Sequence, residues 1–321
     1  MQKIASECIK RIKEIDYNSL DISEYNRRYI YNLLPHLEYY FSMYTHAISS
    51  LSTLKKDSCV VDFGGGHGFL SLYLKMLGYQ VIYCDFNPLS VKTIELVKAQ
   101  LGFGPDYIVT GSSYILSKFC KVHQLKPTHL IATDVIEHVY DLSLFFGDLQ
   151  EINPSFEMAF TTASNPVNGY KCFRLRKIMK KAEAKYVKQR TSYIRENYAQ
   201  LSDQEITTLA KHTRGKIYPD IDRDVSSYLQ CGTYPLLLSD RYNTCDPATG
   251  NWTERILPFK AYEQLANPYG FKIDFSPGLY NEKRNNRVVS SLFHTANLLI
   301  RKWKQAGYSL APYVLIRLHG R

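Results

Sequence analysis

The chain of 321 residues lacks any C-x-x-C pair: its seven cysteines stand at 8, 59, 84, 120, 172, 231 and 245. That absence and the odd count exclude a recognisable zinc ribbon, redox dithiol or disulfide framework, and they point to reduced thiols in a cytoplasmic protein. No apolar run approaches the eighteen or so residues of a membrane span. The opening stretch "MQKIASECIKRIKEID" has no uninterrupted apolar core, so no secretory signal is expected. There is no internal repeat and no low-complexity tract, which removes solenoids and disordered arrays. Acids are short relative to bases, 30 against 40, for a formal charge of +10. Such a surface attracts RNA, phosphorylated metabolites or anionic lipid, and it says nothing of fold. No RNA-binding module is recognisable.

What is present is a globular composition, 45% hydrophobic and 22% charged, in an ordered pattern. Residues 1–56 read as helices, with Ile4, Cys8, Ile12 and Ile15 on one face and Asp21 and Glu24 placed as a capping box for a second helix. From 57 onward short apolar runs alternate with amphipathic stretches: strands at 58–63, 80–85, 106–110, 128–134 and 156–162. A helix from "SVKTIELVKAQLG" has Ser90 as its expected N-cap. This alternation implies a parallel sheet covered by helices. Residues 166–255 break the pattern and read as a helical insertion. A helix (258–267), a strand (270–275), an amphipathic helix (288–305) and an apolar run (311–318) follow. The expected organisation is a helical cap (1–56), a binding core (57–165), an inserted lid (166–255) and the end of the core (256–321).

"VVDFGGGHGFL" (60–70) sets Gly64, Gly65, Gly66 and Gly68 behind Asp62 at the carboxyl end of the first strand. Glycine loses the most freedom on folding, so four in five positions imply that the backbone must be bare. Ligands of doubly wound sheets bind at that rim, beside the point where strand order reverses. A dinucleotide fingerprint wants a small residue at the sixth position of G-x-G-x-x-G, which is Phe69 here, and this weighs against NAD. Asp85 ends the second strand in "YCDFN", where a carboxylate can accept the hydroxyls of a ribose.

With "TDVIEHVYD" (133–141) after the fourth strand, these motifs resemble the class I S-adenosylmethionine (SAM)-dependent methyltransferases. The last stretch is similar to the signature of the ubiquinone-biosynthesis O-methyltransferases and their small-molecule relatives. The resemblance covers 57 to about 165 and implies a Rossmann-like, mostly parallel seven-stranded sheet with helices on both faces. It implies that Gly64, Gly65, Gly66 and Gly68 let SAM lie against the turn, that Asp62 sits near its amino group, and that Asp85 holds the ribose. Phe86 and Asn87 would lie beside the adenine and Asp134 would line the methionine side, while Glu137 and His138 face the acceptor. Many relatives have an acid after the glycine that follows strand three; this chain has Ser112.

A sulfonium methyl is already activated, so transfer needs mainly alignment. A base helps only when the acceptor must lose a proton, and imidazole titrates near neutrality, which makes His138 the candidate. The expectation is a metal-free site. In the related enzymes an E-x-x-E-H stretch holds a divalent ion, and the corresponding residues here are Asp134, Glu137 and His138. Tyr39, Tyr40 and Tyr44 of "LEYYFSMYTH" either wall the cofactor mouth or serve as ordinary half-buried packing. The basic run 169–190 is either a solvated helix face or, through Arg174, Arg176 and Lys177, a site for an anionic acceptor. The apolar face of 288–305 reads as a core helix of the sheet in preference to a membrane-surface helix. These observations favour a SAM-dependent methyltransferase acting on a small molecule, first at oxygen. An RNA methyltransferase and a SAM-binding protein without turnover are the alternatives.

Overall fold

The computed structural model describes residues 1–282 and 286–320, and at 304 and 305 the backbone only; positions 283–285 and 321 of the expected core end lie outside it. The Rossmann-like sheet expected from the sequence is present. Its strands are β1 (Cys59–Phe63), β2 (Gln80–Asp85), β3 (Tyr107–Thr110), β4 (His129–Thr133), β5 (Glu157–Thr162), β6 (Phe271–Pro277) and β7 (Val314–Gly320). Their order is β3-β2-β1-β4-β5-β7-β6. β1 to β5 pair in parallel, and β7 runs antiparallel between β5 and β6. Buried on both faces, β1, β2 and β4 read as near-continuous apolar runs, which is why they are visible in the sequence. The order reverses between β1 and β4, so the loops after these two strands border a single crevice.

The chain divides into two compact units. The first comprises 1–136, 142–163 and 259–321. Its N-terminal helices Gln2–Lys13, Glu24–Leu33 and Leu37–Ser49 share one core with β1, β2 and the helix Phe69–Met76. Two expected helix starts move. Ser23 caps the second helix through Asn26 N–H, because Asp21 instead pairs with Lys92 at 2.6 Å. Asn87 caps the helix Pro88–Leu101 through Leu89 N–H, because Pro88 occupies the first turn and leaves Ser90 buried inside it. The expected helix 288–305 is Arg287–Lys302, followed by Lys304–Leu310. It is not a core helix: only Asn297 and Ile300 of Arg287–Lys302 are buried, and Val288, Leu292 and Leu298 are exposed.

The second unit comprises 137–141 and 164–258. The helices Gly169–Asn197, Asp203–His212 and Tyr218–Cys231 pack around Ile194, Leu209, Ile221 and Val225. A Ser202–Glu205 capping box opens the middle helix. Arg190 is wholly buried, yet it donates to Glu183 (2.5 Å) and to the Ala210 carbonyl (2.8 Å), so its charge is compensated. All seven cysteines are free thiols and only Cys231 is exposed. Among the described residues no helix is long and apolar enough to cross a membrane.

Candidate functional site

β1 feeds directly into the glycine turn. The N–H groups of Gly64 and Gly65 donate to the Cys84 carbonyl at 2.7 and 3.3 Å, and Gly68 N–H returns to Gly65 O at 2.8 Å. Gly64, Gly66 and Gly68 adopt φ of +66°, +53° and +78°, which side chains resist. A Cβ on Gly64 would stand 2.5 Å from Val135, one on Gly65 2.5 Å from the Tyr83 ring, and one on Gly68 2.1 Å from Ile94. Packing inside the first unit therefore accounts for three of the four glycines. On Gly66 a Cβ would meet nothing within 4 Å. Bare backbone faces open space there, with its N–H donating to Asp85 Oδ2 (2.8 Å) and its carbonyl accepting from Tyr83 OH (2.6 Å).

Asp85 is buried and accepts a second backbone bond, from Asn87 N–H to Oδ1 at 2.8 Å. Burial raises its carboxyl above the ordinary range, against the opposing pull of these two N–H groups. Each oxygen keeps a lone pair for a further donor. Asp62 is more deeply placed, at 1% exposure, and accepts from Ser71 Oγ at 2.6 Å. Burial pushes its carboxyl up to about 7, with the Ser71 hydroxyl opposing and the Asp85 charge adding to the rise. Phe86 is 61% exposed beside Asp85, while Asn87 spends its side-chain oxygen on the helix cap. Ser112 is exposed, and its hydroxyl makes no cap bond to the helix Ser113–Val122.

His67 completes the turn and was not singled out by sequence reasoning, although it is the one side chain among the glycines. It is buried, its ring stacks on Tyr29 at 4.8 Å, and its Nε2 has no hydrogen-bond partner among the described residues. Burial lowers its pKa to about 4, so the ring is neutral near pH 7. An orphaned buried nitrogen costs roughly 1–3 kcal/mol.

Asp134 follows β4 with φ +55°, a conformation that clusters at functional sites. Its N–H donates to the Thr161 carbonyl at 2.9 Å. Its charge reaches Tyr39, Tyr40, Tyr44 and Tyr313 and helps to raise their phenols, with burial the larger cause in each. Tyr44 also senses Asp62. The structure thus brings together Asp62, Asp85 and the glycine turn, and it groups Tyr40 and Tyr44 with Asp62 and Asp134.

Glu137 and His138 belong to the second unit. There Glu137, His138 and Glu254 each offer a ligand atom within 4.8 Å of the others. Asp134, which corresponds to the first residue of the relatives' metal-holding stretch, is not in this group, and the metal-free expectation has a candidate cluster against it. His138 Nδ1 lies 2.6 Å from the Trp252 carbonyl, so Nδ1 donates and Nε2 carries the lone pair that a base or metal ligand needs. Ser164 Oγ donates to Glu254 Oε2 at 3.1 Å. Two carboxylates and an imidazole suit Mg²⁺ or Mn²⁺. Nothing local in the sequence marks Glu254, which only folding brings beside His138. Arg174 and Arg176 are exposed and lie over the Tyr170 and Tyr242 rings, 5.8 and 5.0 Å from their centroids.

No protein-family model and no curated protein matches the chain. Among solved structures it is similar to a SAM-dependent methyltransferase from Archaeoglobus fulgidus, at 12% identity and TM-score 0.42 over 87% of this chain and 93% of that one. It is similar to Phospholethanolamine N-methyltransferase 2 of Haemonchus contortus, at 10% identity and TM-score 0.40 over 87% and 52%. A third likeness is to MtNAS in complex with MTA and tNA, at 16% identity and TM-score 0.34; it spans 50% of this chain and about half, 54%, of that one.

Proposed function

We propose that the protein is a SAM-dependent methyltransferase acting on a small molecule. The observation that carries this reading is the one unfilled position of the turn. Gly66 faces open space between two buried acids, whereas its sister glycines are closed by Val135, Tyr83 and Ile94. A zwitterion with an ammonium, a ribose and an adenine fits the donor and acceptor set around it. Asp62, held near neutrality by burial, gains a partner when it ionises against an ammonium. Asp85 accepts from ribose hydroxyls, and exposed Phe86 offers a face to the base with Ser112 at the next strand end. His67 Nε2 gains a polar partner. When bound, such a ligand would supply a methyl group already activated by its sulfonium.

The chain's own contribution is to hold the acceptor in line and exclude water. Oxygen, the first expectation for the acceptor atom, requires a base, and His138 with its free Nε2 lone pair is the candidate for that role, with Glu137 beside it. Calorimetry with S-adenosylhomocysteine (SAH) and with NAD tests the reading: heat with SAH and none with NAD is expected. The reverse sinks it. Incubation with SAM and fractionated cell extract, read by mass, then identifies the acceptor by the methyl it gains.

A further inference from the structure

We propose that the helix Arg287–Lys302, with Trp303 at its end, docks the first unit on the surface of an anionic lipid bilayer. The inference concerns a different part of that unit from the crevice, and it stands whether or not the crevice takes SAM.

The helix lies between β6 and β7 in the chain and is attached along one edge. Asn297 is buried there and clamps the segment that leads into the helix. Its Nδ2 donates to the Tyr280 carbonyl (2.9 Å) and to Glu282 Oε1 (2.8 Å), and its Oδ1 accepts from Tyr280 N–H (2.8 Å). The Phe293 ring stacks on Tyr280 at 4.6 Å, and Ile300 is buried. Positions 293, 297 and 300 share one face of a helix. A second apolar stripe, Val288, Leu292 and Leu299, lies about a third of a turn away from that face. Val288 is 68% exposed and Leu292 63%, and Trp303, one turn beyond Leu299, is 54% exposed. A contiguous row of exposed apolar side chains marks an interaction surface.

Charge names the partner. Residues 283–321 hold eight lysines and arginines and no aspartate or glutamate. Arg287 opens the helix, Arg301 and Lys302 close it, and all three are exposed. Lys302 Nζ stands over the Trp303 ring, 5.6 Å from its centroid. A second copy of the chain would set these charges against their like, because a two-fold interface pairs a patch with itself. RNA would engage the cations and leave Val288 and Leu292 in water. An anionic bilayer uses both features. Valine and leucine enter the acyl boundary, the indole sits at headgroup level, and cations at both helix ends meet phosphates. With a single apolar side the helix lies in the interface plane and does not span. The net charge of +10 adds to the attraction.

The test floats the full chain with vesicles of phosphatidylcholine alone and with vesicles of equal phosphatidylcholine and phosphatidylglycerol. Binding to the mixed vesicles should be about tenfold or more tighter and should weaken as salt rises. Of the two tryptophans, Trp252 is buried in the second unit, so a blue shift of emission on binding reports Trp303 and should vanish in Trp303→Phe. Leu292→Gln should weaken binding about fivefold or more, and Arg287→Gln and Lys302→Gln about fivefold each. These side chains are exposed, so melting temperatures should stay within a few degrees of the parent. No binding to the mixed vesicles at low salt, equal binding to both kinds, or full binding by Leu292→Gln overturns the inference. A dimer in analytical ultracentrifugation that Leu292→Gln dissolves assigns the stripe to a second copy and also overturns it. Capture of a mixed-sequence RNA without vesicle binding does the same in favour of nucleic acid.

Discussion

Asp62→Asn should stabilise the free protein while weakening its ligand. In the folded chain burial lifts this carboxyl from 3.8 to about 7, with Ser71 opposing the shift and Asp85 adding to it. The folded state thus holds a proton that the unfolded chain gives up. Stability from this group is present below the unfolded pKa of 3.8 and is lost as pH rises through about 7. Above that pH the buried charge costs about 4 kcal/mol, at about 1.4 kcal/mol per unit. Asparagine cannot ionise and still accepts from Ser71 Oγ, now 2.6 Å from the carboxylate. Thermal melts without ligand should nearly coincide below about pH 4, diverge steadily from there to about pH 7, and favour the variant by several degrees at about pH 8. Saturating SAH should reverse the order, because only the wild type gains an ion pair with the ammonium. Wild-type SAH affinity should fall up to about tenfold per unit below pH 7, where binding must expel the proton. Parallel melting curves across this range, or a variant that melts lower at about pH 8, would refute the reasoning.

Gly66→Ala and Gly68→Ala should separate ligand loss from folding loss. The first meets only a left-handed backbone penalty of about 1–2 kcal/mol, so it should stay folded and lose SAH affinity. The second also drives a methyl to 2.1 Å from Ile94 and should lower the melting temperature more steeply; equal melting of the two contradicts this account of the turn. His67→Phe keeps the stack on Tyr29 and removes the unpartnered Nε2. It should raise apo stability by about 1 kcal/mol and weaken SAH, and unchanged SAH affinity would leave Nε2 without a ligand role. For the second unit, Mn²⁺ titrated into chelator-treated protein and followed by electron paramagnetic resonance should bind, and Glu254→Gln should weaken it about tenfold or more. Full turnover in chelator with no Mn²⁺ bound dismisses Glu137, His138 and Glu254 as a metal group.

The strands that place the crevice were legible because a buried parallel strand is a short apolar run, and "CVVDF", "QVIYCD" and "HLIAT" are such runs whatever surrounds them. Helix starts were less so, because a cap is a choice between neighbours. Pro88 decides for Asn87 over Ser90, and the distant Lys92 withdraws Asp21 in favour of Ser23. The four glycines are identical letters, and only Val135, Tyr83 and Ile94, all from other parts of the fold, reveal that three of them serve packing. Local spacing offers no warning of that division. Charge shows the same limit in a sharper form. A net +10 and a basic run at 169–190 suggest an anionic acceptor, yet charge summed over a chain carries no position. Arg174 and Arg176 stand over tyrosine rings of the second unit, while Asp62, Asp85 and Asp134 gather at one rim of the first. Acids at three separate strand ends come to one rim only because β2, β1 and β4 are neighbours in the sheet. A motif can therefore point to where a ligand approaches, but which side chains gather to meet it there is a property of strand order.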